Sequence, residues 1–175
     1  MNTKKLTLAG MLIAFGVVFS FFSIPVGASK CFPVQHLVNV IAGVLLGPVY
    51  AVIMAFLTSL IRLMMGTGTI LAFPGSMFGA LLSGVLFVST GKLIAAFLGE
   101  VFGTGILGAL AAYPIAAFLL GSEVAIFAYV IPFLISTLGG VTIAAVLLHV
   151  LDRLGFLEKV NGLLHANQVM LNVDV

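Results

Sequence analysis

The sequence predicts an all-α polytopic membrane protein, a bundle of six transmembrane helices. Composition is the first reason. Hydrophobic residues make up 62% of the 175 positions and charged residues 7%, with a mean hydropathy of +1.35, whereas soluble domains hold about 45–50% apolar and about 25% charged residues. Punctuation is the second. Pro, Gly and polar clusters cut the apolar chain into pieces near the ~20 residues that a helix needs to cross ~30 Å of hydrocarbon.

The first helix is placed at 6–24. Lys4 and Lys5 precede an apolar run in the manner of a secretory signal, but Leu6 to Ile24 exceeds the roughly 7–15 residues of a signal's apolar core, so a retained helix is expected. Pro25 ends it. The second helix, 34–48, stops at Gly47-Pro48 and is short for a full crossing; the third, 49–65, runs to the break that begins at Gly66. The fourth, 75–90, follows Pro74 and ends at Thr90-Gly91-Lys92. The fifth, 93–119, is long enough to tilt. Gly121-Ser122-Glu123 separate it from the sixth, 124–150. Residues 1–151 thus form one transmembrane domain, and 152–175 a short tail, an interfacial or frayed helix that carries no assigned chemistry.

Lysine and arginine in short loops are retained on the cytoplasmic side. With six spans Lys4, Lys5, Lys92, Arg153 and Lys159 fall on one face, and Lys30 and Arg62 at the other. Both termini are therefore expected in the cytoplasm. The long outer connections, 25–34 and 66–75, then face outward, and irregular backbone persists near a membrane only against protein or a watery cavity. An outward-facing pocket is the expectation.

Composition also excludes functions. A formal net charge of +2 from scattered basic residues gives no footprint for nucleic acid. The single Cys31 leaves no intramolecular disulfide and no cysteine cluster for metal. Gly103-Thr104-Gly105-Ile106-Leu107-Gly108 matches a dinucleotide fingerprint, but that motif needs a strand before it and a βαβ unit around it, so its glycines are read as helix-packing residues. No phosphate loop for ATP is found.

Polar side chains at membrane depth are costly and by default mark a solute or ion path. Gln35, His36 and Asn39 share one face of the second helix by their spacing of three and four. Thr58, Ser59 and Arg62 share a face of the third, and Ser76 opens a small, polar face of the fourth. Glu100 lies eight residues beyond Lys92, about 12 Å into the hydrocarbon. Its options are protonation, a cation such as Arg62, or a ligand's donors. Thr104 is one turn further along. Gly10 and Ala14 form a small-xxx-small patch on the first helix, where another helix can approach closely.

The runs Ile24-Pro25-Val26-Gly27 with Lys30-Cys31-Phe32-Pro33-Val34-Gln35-His36, Gly66-Thr67-Gly68-Thr69 with Ala72-Phe73-Pro74-Gly75-Ser76-Met77, and Gly99-Glu100-Val101 with Gly103-Thr104-Gly105 resemble the ThiW family. Its members are regarded as substrate-capturing S components of energy-coupling-factor transporters for the thiazole precursor of thiamine. The resemblance implies an S-component-like six-helix bundle that takes a vitamin precursor from outside and delivers it inward with a transmembrane T component and two cytoplasmic ATPases. It carries no cofactor and no catalysis. Gly10 and Ala14 stand where such proteins usually show an A-x-x-x-A surface for the T component. For hydroxyethylthiazole the pocket needs flat apolar walls and a few hydrogen-bonding groups. Phe32, Phe73, Gln35, His36, Asn39 and Thr69 are candidates, joined by Ser76 and Thr104, with Glu100 and Arg62 tuning or closing the site. A homodimeric proton-coupled carrier using Glu100 is the alternative from another class.

Overall fold

The computed structural model describes residues 3–26, 29–123 and 125–171. Gly27 and Ala28 in the first outer connection, Val124 at the expected start of the sixth span, and Asn172 in the tail lie outside the described residues. Helix α1 spans Thr3–Val18 and tightens into a 3₁₀ turn, Phe19–Phe21. It stops short of the expected Ile24 because Ile24–Val26 is extended: this β1 pairs antiparallel with β2, Ser29–Cys31, in the register Ile24 to Cys31. The expected outer connection at 25–34 thus contains a short hairpin.

Helices α2 (Pro33–Leu46) and α3 (Pro48–Met64) each begin on a proline, whose missing N–H costs nothing in the first turn. Gly47 alone joins them, at φ 86°, a backbone angle that disfavours any residue with a Cβ. Helix α4 runs over Ala72–Thr90. It begins earlier than expected at 75, because Pro74 sits inside the first turn, where it is tolerated, instead of before it. Helix α5 covers Leu93–Leu119, but Gly103–Gly108 and Ile115–Leu119 are π-helical turns. Helix α6, Val130–Arg153, starts after a turn at 126–129. Helix α7, Phe156–Leu171, follows Gly155. The four stretches Thr3–Phe21, α4, α5 and α6 are long and apolar enough to cross a membrane; α2 and α3 are apolar but have 14 and 17 residues.

Packing is inverted relative to a soluble protein. Small residues such as Ala80, Ala96, Ala109, Ala112 and Ala116 are fully buried, while Phe22, Phe118 and Leu119 face outward. Lipid tails are as apolar as leucine, so helices associate by close contact instead of by escaping water. Helix α4 is the centre of the bundle, packed by α2, α3 and α5. A Cβ on Gly99 would come within 2.6 Å of the Leu82 backbone, and one on Gly108 would strike Gly75 Cα. Gly103 and Gly108 of the apparent dinucleotide motif, with Gly99 before them, therefore bring α5 onto α4, while Gly105 faces Leu134 of α6.

The bundle has two distinct ends. At the hairpin end α1, α3 and α5 finish and α2, α4 and α6 begin. At the tail end α7 folds back beside α1, α2 and α6, burying Leu157 and Leu164, with Lys4 Nζ donating to the Leu163 carbonyl at 3.4 Å.

Candidate functional site

A cavity of about 440 Å³ opens within the hairpin end, a volume in the range of small-molecule sites. Its floor is a buried polar network centred on Glu100, which is 0% exposed. Glu100 Oε1 lies 2.9 Å from His36 Nδ1, 3.0 Å from Asn39 Nδ2 and 3.1 Å from Thr104 Oγ1. The Thr104 hydroxyl also reaches the Gly75 carbonyl at 2.9 Å. Asn39 donates to the Ser76 carbonyl at 3.2 Å and receives the Ser76 hydroxyl on Oδ1 at 3.3 Å. A buried carboxylate keeps company of this kind because an unsatisfied one is very expensive.

A chain of hydrogen bonds ties this floor to the hairpin. The Phe32 N–H donates to Ser136 Oγ at 2.8 Å. Ser136 Oγ lies 3.1 Å from His36 Nε2. His36 thus bridges Ser136 and Glu100 through its two ring nitrogens. Two glycines make room. A Cβ on Gly79 would collide with Thr104 Oγ1 and stand 2.6 Å from Glu100 Oε2, and a side chain on Gly140 would collide with the Pro33 carbonyl oxygen and His36 Cβ. Glu100 Oε2 is the one oxygen of this network without a hydrogen bond.

The upper wall differs. Arg62, 1% exposed, ends α3 with its guanidinium carbon 4.2 Å from the centre of the Phe32 ring. Nη2 makes a long bond of 3.4 Å to the Thr67 carbonyl, while Nε and Nη1 have no partner. The loop around it is shaped by backbone instead: Thr67 and Gly68 both donate their N–H to the Arg62 carbonyl, at 2.9 and 3.1 Å. Ser20 and Thr67 hydroxyls, 2.9 Å apart, tie the end of α1 to the same loop.

Of the side chains singled out from sequence, Phe32, Gln35, His36, Arg62, Thr69, Ser76 and Thr104 line the cavity. Gln35 also donates to Ser59 Oγ at 3.3 Å. Asn39 and Glu100 belong to the floor network without lining the cavity themselves, and reach it through His36, Ser76 and Thr104. Phe73 turns away and packs edge-on against Phe56, ring centres 5.5 Å apart. Arg62 does not pair with Glu100; the ring of His36 is what meets that carboxyl group. Nor does Arg62 snorkel, since its whole side chain is buried. Gly10 and Ala14 lie on an exposed face of α1, and nothing stands within 4 Å of a Cβ placed on Gly10. Tyr129, just before α6, lines the cavity as well, where a ring able to stack on a flat ligand is one of the two readings that its sequence position allows; Pro132, Phe133 and Ser136 of α6 were not assigned to the pocket from sequence. The adjacent hydroxyls Ser136-Thr137 in an apolar run were the available signal. Cys31, 2% exposed under the hairpin, has its thiol pushed above the ordinary value by burial, which keeps it protonated and unreactive at neutral pH.

No curated protein and no solved structure matches the chain. The family model for ThiW, thiamine-precursor transporter protein, matches residues 6–154, from within α1 to the residue after α6. Together with the long apolar helices, that match identifies a multi-pass membrane protein: the chain belongs to the ThiW family of thiamine-precursor transporters.

Proposed function

We propose that this protein is the substrate-capturing S component of an energy-coupling-factor importer, binding hydroxyethylthiazole in the cavity at the hairpin end. Its transmembrane domain is the six-helix unit of residues 1–151, with the hairpin end outside and both termini in the cytoplasm, 152–175 forming the tail. A T component and two ATPases would complete the importer, the T component docking on the exposed Gly10 and Ala14 face of α1. One observation carries this reading: polar groups from α2, α3, α4, α5 and α6 converge on a single cavity whose walls include the flat rings of Phe32, Tyr129 and Phe133. Rings of that kind suit a small heteroaromatic solute, and His36, Ser76 and Thr104 offer hydroxyl and ring-nitrogen partners.

Equilibrium binding to the purified protein tests it. Hydroxyethylthiazole should bind stoichiometrically and compete with the ligand retained through gentle purification. Binding of thiamine or its pyrimidine half without the thiazole would overturn the substrate assignment. The buried His36–Glu100 pair favours one second reading, a homodimeric proton-coupled carrier. Uptake into vesicles holding only this protein, driven by a proton gradient and abolished by Glu100→Gln, would establish that reading; dependence on ATPase subunits excludes it.

A further inference from the structure

We infer that the cavity is an anion-accepting site: its preferred ligand carries a carboxylate or phosphate-monoester group on an aromatic ring, and Arg62 receives that group. This rests on the cavity being where the transported solute binds.

Arg62 is the starting point. It lines the cavity, is 1% exposed, and leaves Nε and Nη1 without partners. Burying a cation without a counter-charge is costly, and a chain retains such a group where something else neutralises it. No such partner is found among the described residues. Among the described residues no aspartate or glutamate lines the cavity, and Glu100, held through Oε1 by His36, Asn39 and Thr104, makes no ion pair with Arg62 through either oxygen. A structural duty for the guanidinium is thin, because the 66–69 loop is already held by the Arg62 backbone carbonyl. Its remaining contacts are one long bond to Thr67 and the face of Phe32.

The helix directions point the same way. Helices α2, α4 and α6 all begin at the cavity, through Phe32 and Gln35, Ala72 and Gly75, and Tyr129 and Phe133 respectively. Each N-terminus contributes a partial positive charge, and transporters use helix ends of that sign to hold anionic substrate groups at membrane depth. A neutral alcohol would use one donor. A planar fork of N–H groups matches the paired oxygens of a carboxylate or phosphate.

The test compares hydroxyethylthiazole, its phosphate monoester, a thiazole carboxylate and phenyl phosphate on wild type, Arg62→Met and Arg62→Lys. Wild type should bind one of the charged thiazoles at least about tenfold more tightly than the alcohol, and the better of the two identifies the anion. In Arg62→Met that ratio should fall to about one, with Arg62→Lys between, and unliganded Arg62→Met should melt no lower than wild type. If the alcohol binds and the charged thiazoles bind no better, or if Arg62→Met keeps the preference, the anion site is refuted while the thiazole reading survives. Should every thiazole fail while phenyl phosphate stabilises wild type but not Arg62→Met, the anion site stands and the substrate reading falls. No binding by any probe refutes both. A lower melting point for unliganded Arg62→Met also counts against the inference, since it would make the arginine a structural group.

Discussion

The floor and the upper wall of one cavity treat a buried charge in opposite ways. On the floor, Glu100 is surrounded by donors from α2 and α5, and only Oε2 is left over. On the wall, Arg62 is equally buried yet has a single long bond and two unpartnered N–H sites. A charge that the fold satisfies is part of the fold; a charge that it leaves unsatisfied is held ready for something else. Proteins accept such local cost at functional positions and recover it elsewhere.

Substitutions at the two places should therefore diverge. The largest effect is expected for Glu100→Ala, which strands the buried His36, Asn39 and Thr104 donors and should cost about 3–5 kcal/mol of stability, measured by denaturant unfolding in detergent. Glu100→Gln keeps an acceptor oxygen and should cost less. A small loss would mean that the floor is no more structural than the wall. Gly79→Ala comes next. Its methyl would collide with Thr104 Oγ1 and stand 2.6 Å from Glu100 Oε2, an overpacking worth about 1–3 kcal/mol. Gly10→Leu, with nothing within 4 Å of the new Cβ, should cost no stability and gain about 0.5–1 kcal/mol, because a good helix former replaces a mid-helix glycine. Uptake by the assembled importer should nevertheless fall, with solute binding to the isolated chain intact; unimpaired uptake would remove the docking assignment. The smallest effect concerns rate alone. Maleimide should modify Cys31 more slowly than an accessible thiol at pH 8, and the reaction should accelerate only at higher pH, because burial raises the thiol's pKa. Fast labelling at neutral pH would show that the hairpin opens freely.

Hydrocarbon surroundings made much of this site legible beforehand. Gln35, His36, Asn39 and Glu100 stood out because a polar group in lipid has to be explained. Their pairing was not legible: His36 and Glu100 are 64 positions apart, and only the packing of α2 against α5 decides that they meet. Ser136 escaped notice for a different reason. A hydroxyl in an apolar helix can be satisfied by its own preceding turn, as Thr137 is by the Phe133 carbonyl at 2.7 Å, so serine and threonine announce little by themselves. Helix bounds followed from the Gly and Pro breaks to within about three residues, including α4 with Pro74 in its first turn, except that α1 ends at Val18 instead of 24 and α6 starts at Val130 instead of 124. The hairpin's two strands are three residues each, too short for any alternation to register.

The wide turns of α5 have a geometric consequence. Ala96, Glu100, Thr104, Gly108, Ala112 and Ala116, every fourth residue, are all buried. In an ordinary α-helix a row with that spacing winds about 40° per step, carrying its far end to the opposite side within five steps. Turns that hold more residues take the winding back. A 27-residue rod thereby keeps one straight inner edge. Straightening the wide turn at Gly103–Gly108 into an ordinary one with no residue removed would swing that edge's distal half, with its alanines, into the lipid, whereas deleting one residue there would leave the edge in place.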